Sequence, residues 1–304
     1  MAVTDMINLP ALRSNGQDLS TEPSRLGRLI PSDPNEHIQT LRTALNHQGY
    51  LWLKGILPRA EVLALRARFF ERMAITGILA SHSSPEDGIF SFARDTTGRT
   101  TRLLMEFVRT AAYEAFCFHP AIWQFYEKLM GGDVYLHKRK IVRQSYPADE
   151  KTTDAHYDLI YLRGGTDSVL SSWIPLGDIP VHMGGLIYLE GADSFGRALE
   201  ADFATRAHDL APEERIKAYN KHMSASGGIG KDLAALADHY DTRWLVADYE
   251  AGDMVIHTAY MIHAATQNNS PENRMRLSTD IRYQRIRDEI DARWTNHWSL
   301  EDIL

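Results

Sequence analysis

The second half of the chain is a series of short β-rich runs, and this pattern constrains the fold more than any other feature. Turns of Gly, Pro and Asp separate the runs between residues 133 and 284. Such spacing is typical of a β-sandwich or β-barrel. The runs are DVYLHKRKIVRQSYP, DAHYDLIYLRG, SVLSSWIPLGD, GGLIYLEGAD, RWLVADYEAGDMVIHTAYMIHAAT and RMRLSTDIRYQ. Residues 197–240 interrupt them with a helical pattern and a Gly-rich break, which predicts a helical insertion over the barrel.

The first half of the chain has a helical pattern. Helical spacing ends near Gly49, the strand-like YLWLKGIL follows, and Pro58 begins a second helix. Residues 80–100 resemble a loop, after which a helical stretch continues to about residue 130. The first 30 residues are polar and contain Pro, so they predict a loose N-terminal arm. The whole pattern predicts one α+β domain over residues 1–304, with helices packed on a jelly roll.

Composition narrows the class of partner. The net charge of −7 argues against a general attraction to nucleic acid or to an anionic membrane, and no apolar run reaches the ~20 residues of a membrane helix. The N-terminus lacks the basic and apolar regions of a secretory signal. The single Cys117 lies in an apolar helical stretch, which predicts a core residue and fits a reducing compartment such as the cytoplasm. We therefore expect a small-molecule partner.

A His-x-Asp pair occurs twice, as His156-Tyr157-Asp158 and as His239-Tyr240-Asp241. Such a pair arises easily by chance, so its surroundings must decide whether it has a function. The first pair lies in a run that resembles a strand, where residues i and i+2 point to the same side. The second lies within the helical insertion and is interpreted as the chance match.

Two histidines and one carboxylate on one face are the usual ligands of iron(II) in oxygenases. A third ligand could be His257 or His263, which have the same parity along their run. We favour His263 because of the residues that follow it. In a strand Arg274, Arg276 and Ser278 would share one face, and an arginine with a hydroxyl suits bidentate binding of a carboxylate. The set suggests iron with a dicarboxylate co-substrate.

These motifs resemble the phytanoyl-CoA dioxygenase family of iron(II)- and 2-oxoglutarate-dependent oxygenases, from about Gly49 to Gln284. The resemblance is carried by GYLWLKGIL, HYD, SSWIPLGDIPVHMGGLIYLEGADS, YEAGDMVIHTAYMIHAATQNNS and RLSTDIRYQ. It implies a double-stranded β-helix, which is a cupin-like jelly roll. The residues that match the family's iron ligands are His156, Asp158 and His263.

The resemblance also implies a site for 2-oxoglutarate. Its far carboxylate would bind Arg276 or Arg274; the motif Arg-Leu-Ser-x-Asp favours Arg276, with Ser278 assisting, whereas counting from the late histidine favours Arg274. Trp173 matches a tryptophan that lines the co-substrate pocket in relatives. A cationic run is also placed to reach the co-substrate or a charged substrate, although strand alternation would turn only half of it inward. Its members are Lys138, Arg139, Lys140 and Arg143.

The expected reaction consumes O2 and 2-oxoglutarate, releases succinate and CO2, and oxidises a small organic metabolite. Halogenating relatives replace the carboxylate ligand with a small residue, but this chain has Asp158, so hydroxylation, desaturation, epoxidation or ring formation is expected. The insertion at 197–240 and the loop at 80–100 are predicted to cover the substrate. A zinc hydrolase or isomerase on a cupin-like barrel is the alternative, and the Arg-x-Ser motif argues against it.

Overall fold

The computed structural model describes residues 11–211, 214 and 229–299. Within them, thirteen strands and eight α-helices follow the chain, with four short 3-10 helices between them. The strands are β1 Arg13–Ser14, β2 Gln17–Asp18, β3 Leu26–Arg28, β4 Pro31–Ser32, β5 Tyr50–Leu53, β6 Val134–Leu136, β7 Ile141–Ser145, β8 Leu170–Pro175, β9 Leu186–Leu189, β10 Trp244–Val246, β11 Met254–Thr258, β12 His263–Ala265 and β13 Arg276–Arg285. The helices are α1 Ile38–Gln48, α2 Arg59–Met73, α3 Arg99–Phe107, α4 Ala111–Cys117, α5 Pro120–Met130, α6 Leu159–Leu162, α7 Ala192–Arg206 and α8 Leu233–His239.

Two sheets form the centre of the molecule. The larger has seven strands in the order β4-β5-β11-β8-β13-β6, with β7 also paired to β13; the smaller has four in the order β12-β9-β10-β3. Their inner faces share one apolar core, where Tyr50 of β5 stacks on Tyr188 of β9 with ring centroids 5.6 Å apart. The two sheets therefore pack against each other with a common interior between them.

The outer face of the larger sheet carries a second core made with the helices of the first half. Alternation along β8 sends Ser171 and Trp173 to the interior and Ser172 and Ile174 to the helices. Tyr126 of α5 bonds Ser172 through their hydroxyls at 2.6 Å. Because both faces are covered, every residue of β8 is buried, and the strand is apolar or small throughout.

The end of α1 and the start of α2 lie where the sequence predicts, whereas the predicted helical stretch to about residue 130 is three separate helices, α3 to α5. Helix α1 ends at Gly49, whose φ of 79° favours glycine, and β5 follows at once. Pro58 precedes α2, which buries Val62, Leu65 and Phe69 against the sheet. Cys117 is fully buried, as expected, and burial raises the pKa of its thiol to about 12. The predicted combination of α-helices and several β-sheets is confirmed.

Three sequence predictions need correction. The described part of the predicted N-terminal arm, residues 11–30, is not loose, because Leu12, Leu26 and Leu29 are buried and β3 pairs in parallel with β10; residues 1–10 of that arm lie outside the described part. The stretch DAHYDLIYL is not a strand: it makes two isolated bridges, Ala155 with Gly230 and His156 with His263, and then turns into α6. The last long β-rich run is three strands, of which β11 lies in the larger sheet and β10 and β12 in the smaller.

The predicted barrel is observed as two separate sheets. Among the described residues no strand belongs to both of them, so the described strands form no closed barrel. The predicted insertion begins within α7 and ends with α8, and most of residues 212–228 between them lies outside the described part. No described helix is both long and apolar enough to cross a membrane.

Candidate active site

Three different elements bring two histidines and an aspartate together. His263 is the first residue of β12, and the backbone of His156 pairs with it through two N–H···O bonds of 3.0 and 2.9 Å. Asp158 lies two residues further, where the chain enters α6. The pair of bonds fixes the separation of the two histidines, and the turn into α6 returns the carboxylate to the same point.

The ligand atoms of His156, Asp158 and His263 all lie within 4.8 Å of one another, and all three residues are buried. Nε2 of His156 is 3.9 Å and Nε2 of His263 is 4.0 Å from Oδ1 of Asp158. Two bonds of about 2.1 Å to a shared ion span up to about 4.2 Å, so these spacings suit a divalent transition metal.

Both imidazole rings are held by the backbone. Nδ1 of His156 donates to the carbonyl of Asp154 at 2.8 Å, and Nδ1 of His263 donates to the carbonyl of Met261 at 2.9 Å. These bonds place the proton on Nδ1 and leave Nε2 free to bind a metal. Burial lowers the pKa of His156 and takes that of His263 well below its usual range, so both rings are neutral.

Asp158 is surrounded by donors. Its Oδ2 accepts a short hydrogen bond from Ser171 and one of 3.3 Å from Nε2 of His257, and its Oδ1 is 3.2 Å from Arg282. Burial by itself would raise the pKa of Asp158, but the charge of Arg282 and the hydrogen bond from His257 hold it well below its usual range. The side chain is an ionised carboxylate whose Oδ1 faces the two free imidazole nitrogens.

His257 therefore lies beside the site without joining the triad. An ionised carboxylate only accepts hydrogen bonds, so Nε2 of His257 must carry the proton that Asp158 receives. Its Nδ1 then accepts from the hydroxyl of Tyr188 at 2.9 Å. His257 and His263 have the same parity in the sequence, but they take different positions because they lie on β11 and β12 in different sheets.

Strand β13 provides the wall next to the triad. Alternate residues face the interior, namely Arg276, Ser278, Asp280 and Arg282. Nε of Arg276 and the hydroxyl of Ser278 are buried without a hydrogen-bond partner among the described residues. The indole N–H of Trp173, on the neighbouring strand, is also buried and unpartnered. Burial, together with nearby Arg143, lowers the pKa of Arg276 to about 10, so the guanidinium is still charged at neutral pH.

Arg274 is placed elsewhere. Strand β13 begins at Arg276, and Arg274 precedes it in a bridge with Ile89. Its side chain lines an exposed cleft of about 730 Å³ together with Arg66, away from the triad. The expectation that Arg274 shares a face with Arg276 and Ser278 is therefore wrong.

Of the cationic run, Arg143 reaches the interior. Lys140 instead pairs with Glu114 at 2.6 Å, and Arg139 packs over Trp294. An entrance cavity of about 780 Å³ opens beside the triad, and Arg143, Thr153 and His156 line both this cavity and the small space at the triad. Lys231, near the end of the predicted insertion, lines the entrance cavity.

The second His-x-Asp pair takes no part in the site. His239 ends α8, and Asp241 forms an exposed ion pair with Arg25 at 3.3 Å. Among the described residues, His156, Asp158 and His263 are the one group of three or more His, Cys, Asp or Glu residues with the spacing of a metal site.

The sequence profile of phytanoyl-CoA dioxygenase matches residues 45–276, which is most of the chain. The chain belongs to the phytanoyl-CoA dioxygenase family. The family and the dioxygenase class of enzyme predicted from the sequence are thereby confirmed. Two curated relatives are 1-deoxypentalenic acid 11-beta-hydroxylases: that of Streptomyces exfoliatus is 24% identical over 247 residues, covering 79% of this chain and 78% of the relative. That of Streptomyces arenae is 23% identical over 246 residues, with the same coverage.

Solved structures share the fold of this family member. The alpha ketoglutarate dependent carbocyclase SnoK from nogalamycin biosynthesis has a TM-score of 0.55 at 20% identity, covering 86% of this chain and 89% of SnoK. The epimerase SnoN, solved with Fe3+, alpha ketoglutarate and nogalamycin RO, has a TM-score of 0.52 at 19% identity, covering 82% and 83%. EctD from S. alaskensis, solved with Fe, has a TM-score of 0.54 at 13% identity, covering 96% and 88%. The predicted cofactors, iron and 2-oxoglutarate, are confirmed at the level of the family.

Sequence reasoning gave no role to Arg282, Ser171 or Asp280. Strand alternation could have identified Asp280 and Arg282, because counting in twos from Arg276 also turns them to the inner face. Ser171 has the same parity as Trp173 on β8, so the same argument would have found it. The contact of His257 with Asp158 depends on the pairing of β11 with β8, which a single sequence does not reveal.

Proposed function

We propose that this protein is an iron(II)- and 2-oxoglutarate-dependent oxygenase that oxidises a small organic molecule. The observation that carries the proposal is the triad of His156, Asp158 and His263 beside the unpartnered pair Arg276 and Ser278. A buried, unpartnered guanidinium is costly unless a ligand completes it. A dicarboxylate that binds the metal at one end and Arg276 at the other would do so.

Each residue has a defined task in this proposal. His156, His263 and Oδ1 of Asp158 hold the iron, while Ser171 and His257 occupy Oδ2 and so favour a single bond from the carboxylate to the metal. Arg276 and Ser278 bind the far carboxylate of 2-oxoglutarate, and Trp173 lines the same space. When bound, iron with 2-oxoglutarate and O2 supplies the oxidising chemistry, with succinate and CO2 as co-products.

Several finer features belong to the proposal. The two sheets are interpreted as a double-stranded β-helix within one domain. The substrate enters through the entrance cavity, whose rim includes Lys231 at the end of the insertion. An ion pair between Arg94 and Asp149 ties the loop at 80–100 to the residue that precedes Glu150, which lines the entrance cavity. Because Asp158 is present, we expect hydroxylation, desaturation, epoxidation or ring formation and no halogenation.

The relatives suggest the range of substrates. They include hydroxylases of 1-deoxypentalenic acid and a carbocyclase from nogalamycin biosynthesis. By analogy, we propose a small specialised metabolite for this chain, with no acyl-CoA requirement inherited from the family name.

The test is anaerobic titration of the purified protein with Fe(II) and 2-oxoglutarate. A weak visible absorption band near roughly 500 nm is expected when the chelated pair forms. The band should be lost in His156→Ala and in His263→Ala and kept in His239→Ala, the histidine of the other His-x-Asp pair. Absence of the band, with tight zinc binding in its place, would contradict the oxygenase and favour a zinc hydrolase or isomerase.

A further inference from the structure

Arg143 lies at the boundary between the triad and the entrance cavity and lines both spaces. It stands opposite Ser278 on the neighbouring strand β13, so its position in the sheet turns it inward. Its side chain is 37% exposed, whereas those of His156 and Asp158 are 6% and 3% exposed. A molecule that enters through the cavity therefore meets this guanidinium beside His156.

The guanidinium of Arg143 is only partly used. Its Nε makes a short ion pair with Oδ2 of Asp280. The two terminal nitrogens, Nη1 and Nη2, make no hydrogen bond with any described residue. Two parallel N–H groups at the end of an anchored guanidinium are the geometry that binds a carboxylate in bidentate fashion.

The net charge around the triad is positive, which favours binding of such an anion. The lining includes three arginines (Arg143, Arg276 and Arg282) against two carboxylates (Asp158 and Asp280). A divalent iron and a doubly negative 2-oxoglutarate cancel each other in this balance. One positive charge then remains, and an uncompensated charge in a partly closed site favours a negatively charged ligand.

The remaining cations have other positions. Arg282 already contacts Oδ1 of Asp158 and lies over the ring of Trp294, and Arg276 lies at the far end of the inner face of β13. Arg143 alone among the three combines partial exposure with an unused pair of N–H groups facing the entrance. At the rim, Lys151 and Lys231 are exposed and add positive charge beside Glu150 and Asp154.

We infer that the substrate carries an anionic group, a carboxylate in the simplest case, which binds Nη1 and Nη2 of Arg143 while the oxidised carbon points toward the triad. This inference deepens the proposed function and rests on it. The volume of the entrance cavity, about 780 Å³, suits a small molecule of drug-like size. Arg143 is thus a substrate-binding residue that selects for charge and sets orientation.

The experiment uses the full-length protein loaded with Zn(II) and 2-oxoglutarate, so that binding is measured without turnover. The probes are 1-deoxypentalenic acid, 1-adamantanecarboxylic acid and decanoic acid, each compared with its methyl ester. Affinity is followed by the shift of the thermal unfolding midpoint with probe concentration. We expect at least one acid to bind about tenfold or more tightly than its ester.

Arg143→Gln should abolish the preference for the acid, and Arg68→Gln, at an exposed position on α2, should retain it. If removal of Arg143 leaves Asp280 unpaired and the protein unfolds, the double variant Arg143→Gln/Asp280→Asn removes the pair together. Circular dichroism confirms that each variant is folded.

Two results would overturn the inference: no acid binds better than its ester, or the preference persists without Arg143. A third would also overturn it. If Arg143→Gln weakens 2-oxoglutarate binding tenfold, the guanidinium belongs to the co-substrate. The visible band of the unsubstituted protein with Fe(II) and 2-oxoglutarate is recorded first, because its absence would remove the proposed function itself and not this inference alone.

Discussion

Arg276 and Arg274 are two residues apart, yet one faces the triad and the other lies in an exposed cleft. We therefore expect Arg276→Gln to weaken 2-oxoglutarate binding by about 10- to 100-fold, because a buried charged hydrogen bond is lost. Arg274→Gln should change it less than about twofold. Titration of the anaerobic iron-loaded protein with 2-oxoglutarate measures both. A larger effect at Arg274 would reverse the assignment.

His257 is expected to act on the metal through Asp158. Replacing it with Leu removes one of the two hydrogen bonds to Oδ2, so the carboxylate is held less firmly, by Ser171 and Arg282 alone. We expect Co(II) affinity to fall about 10- to 100-fold, which is the usual effect of losing such a supporting bond. His208→Leu, at a side chain 85% exposed, is the matched control. Equal Co(II) affinity in the two variants would show that His257 does not position Asp158.

At the scale of elements, α7 packs tightly on the turn that precedes His263. A Cβ on Gly196 would lie 2.0 Å from the carbonyl oxygen of Tyr260, which is a backbone atom that cannot rotate away. Gly196→Ala should therefore lower the free energy of unfolding by about 1–3 kcal/mol and weaken metal binding as the turn shifts. Gly132→Ala, where the Cβ meets nothing within 4 Å, is the control in urea denaturation.

His137 joins the end of β6 to β13 and should make stability depend on pH. Burial lowers its pKa from 6.5 to about 4, although Gln284 hydrogen-bonds the ring at 2.8 Å. Between these values the unfolded chain binds the proton and the folded chain does not, so stability falls as pH decreases from 6.5.

His137→Gln should reduce the stability lost between pH 7 and pH 5 by up to about 2 kcal/mol. Urea unfolding curves of both proteins at the two pH values test this. The remaining buried histidines are present in both proteins and cancel in the comparison. Identical pH dependence would contradict the assignment to His137.

The elements differ in how far the sequence predicted them. The end of α1 and the start of α2 were predicted because Gly49 and Pro58 act locally. The turn at Asp158 was missed, because His156 is held by a strand 107 positions away in the chain and not by its own neighbours. The same holds for residues 11–32, which are polar in sequence but covered by β10 and the core. Pairings of this kind are set by tertiary contacts that a single sequence does not display.

On the scale of the whole molecule, the proposed metal ligands are held by both sheets, which share no strand among the described residues. His263 belongs to the smaller sheet, whereas Asp158 is held by Ser171 and His257 of the larger one. A bound metal would therefore link the two sheets. We expect a divalent ion at about 100 times its dissociation constant to add about 2.7 kcal/mol of stability, which for a chain of 304 residues is a rise of about 4 °C in Tm.

This rise should be reversed by a chelator and absent in Asp158→Ala. Differential scanning calorimetry of the chelator-treated and metal-loaded protein measures it. An equal rise in Asp158→Ala would mean that the ion binds elsewhere.

The backbone bonds that hold His156 and His263 have a consequence for metal supply. Both rings are already oriented, so the two nitrogens and one oxygen form a preorganised set of ligands before an ion binds. A rigid set of this kind accepts divalent ions in the order of their intrinsic affinity, in which iron ranks below cobalt, nickel and copper. The fold by itself then does not select iron over these other ions. The metal bound by this enzyme would be decided by the free concentration of each ion in the cell.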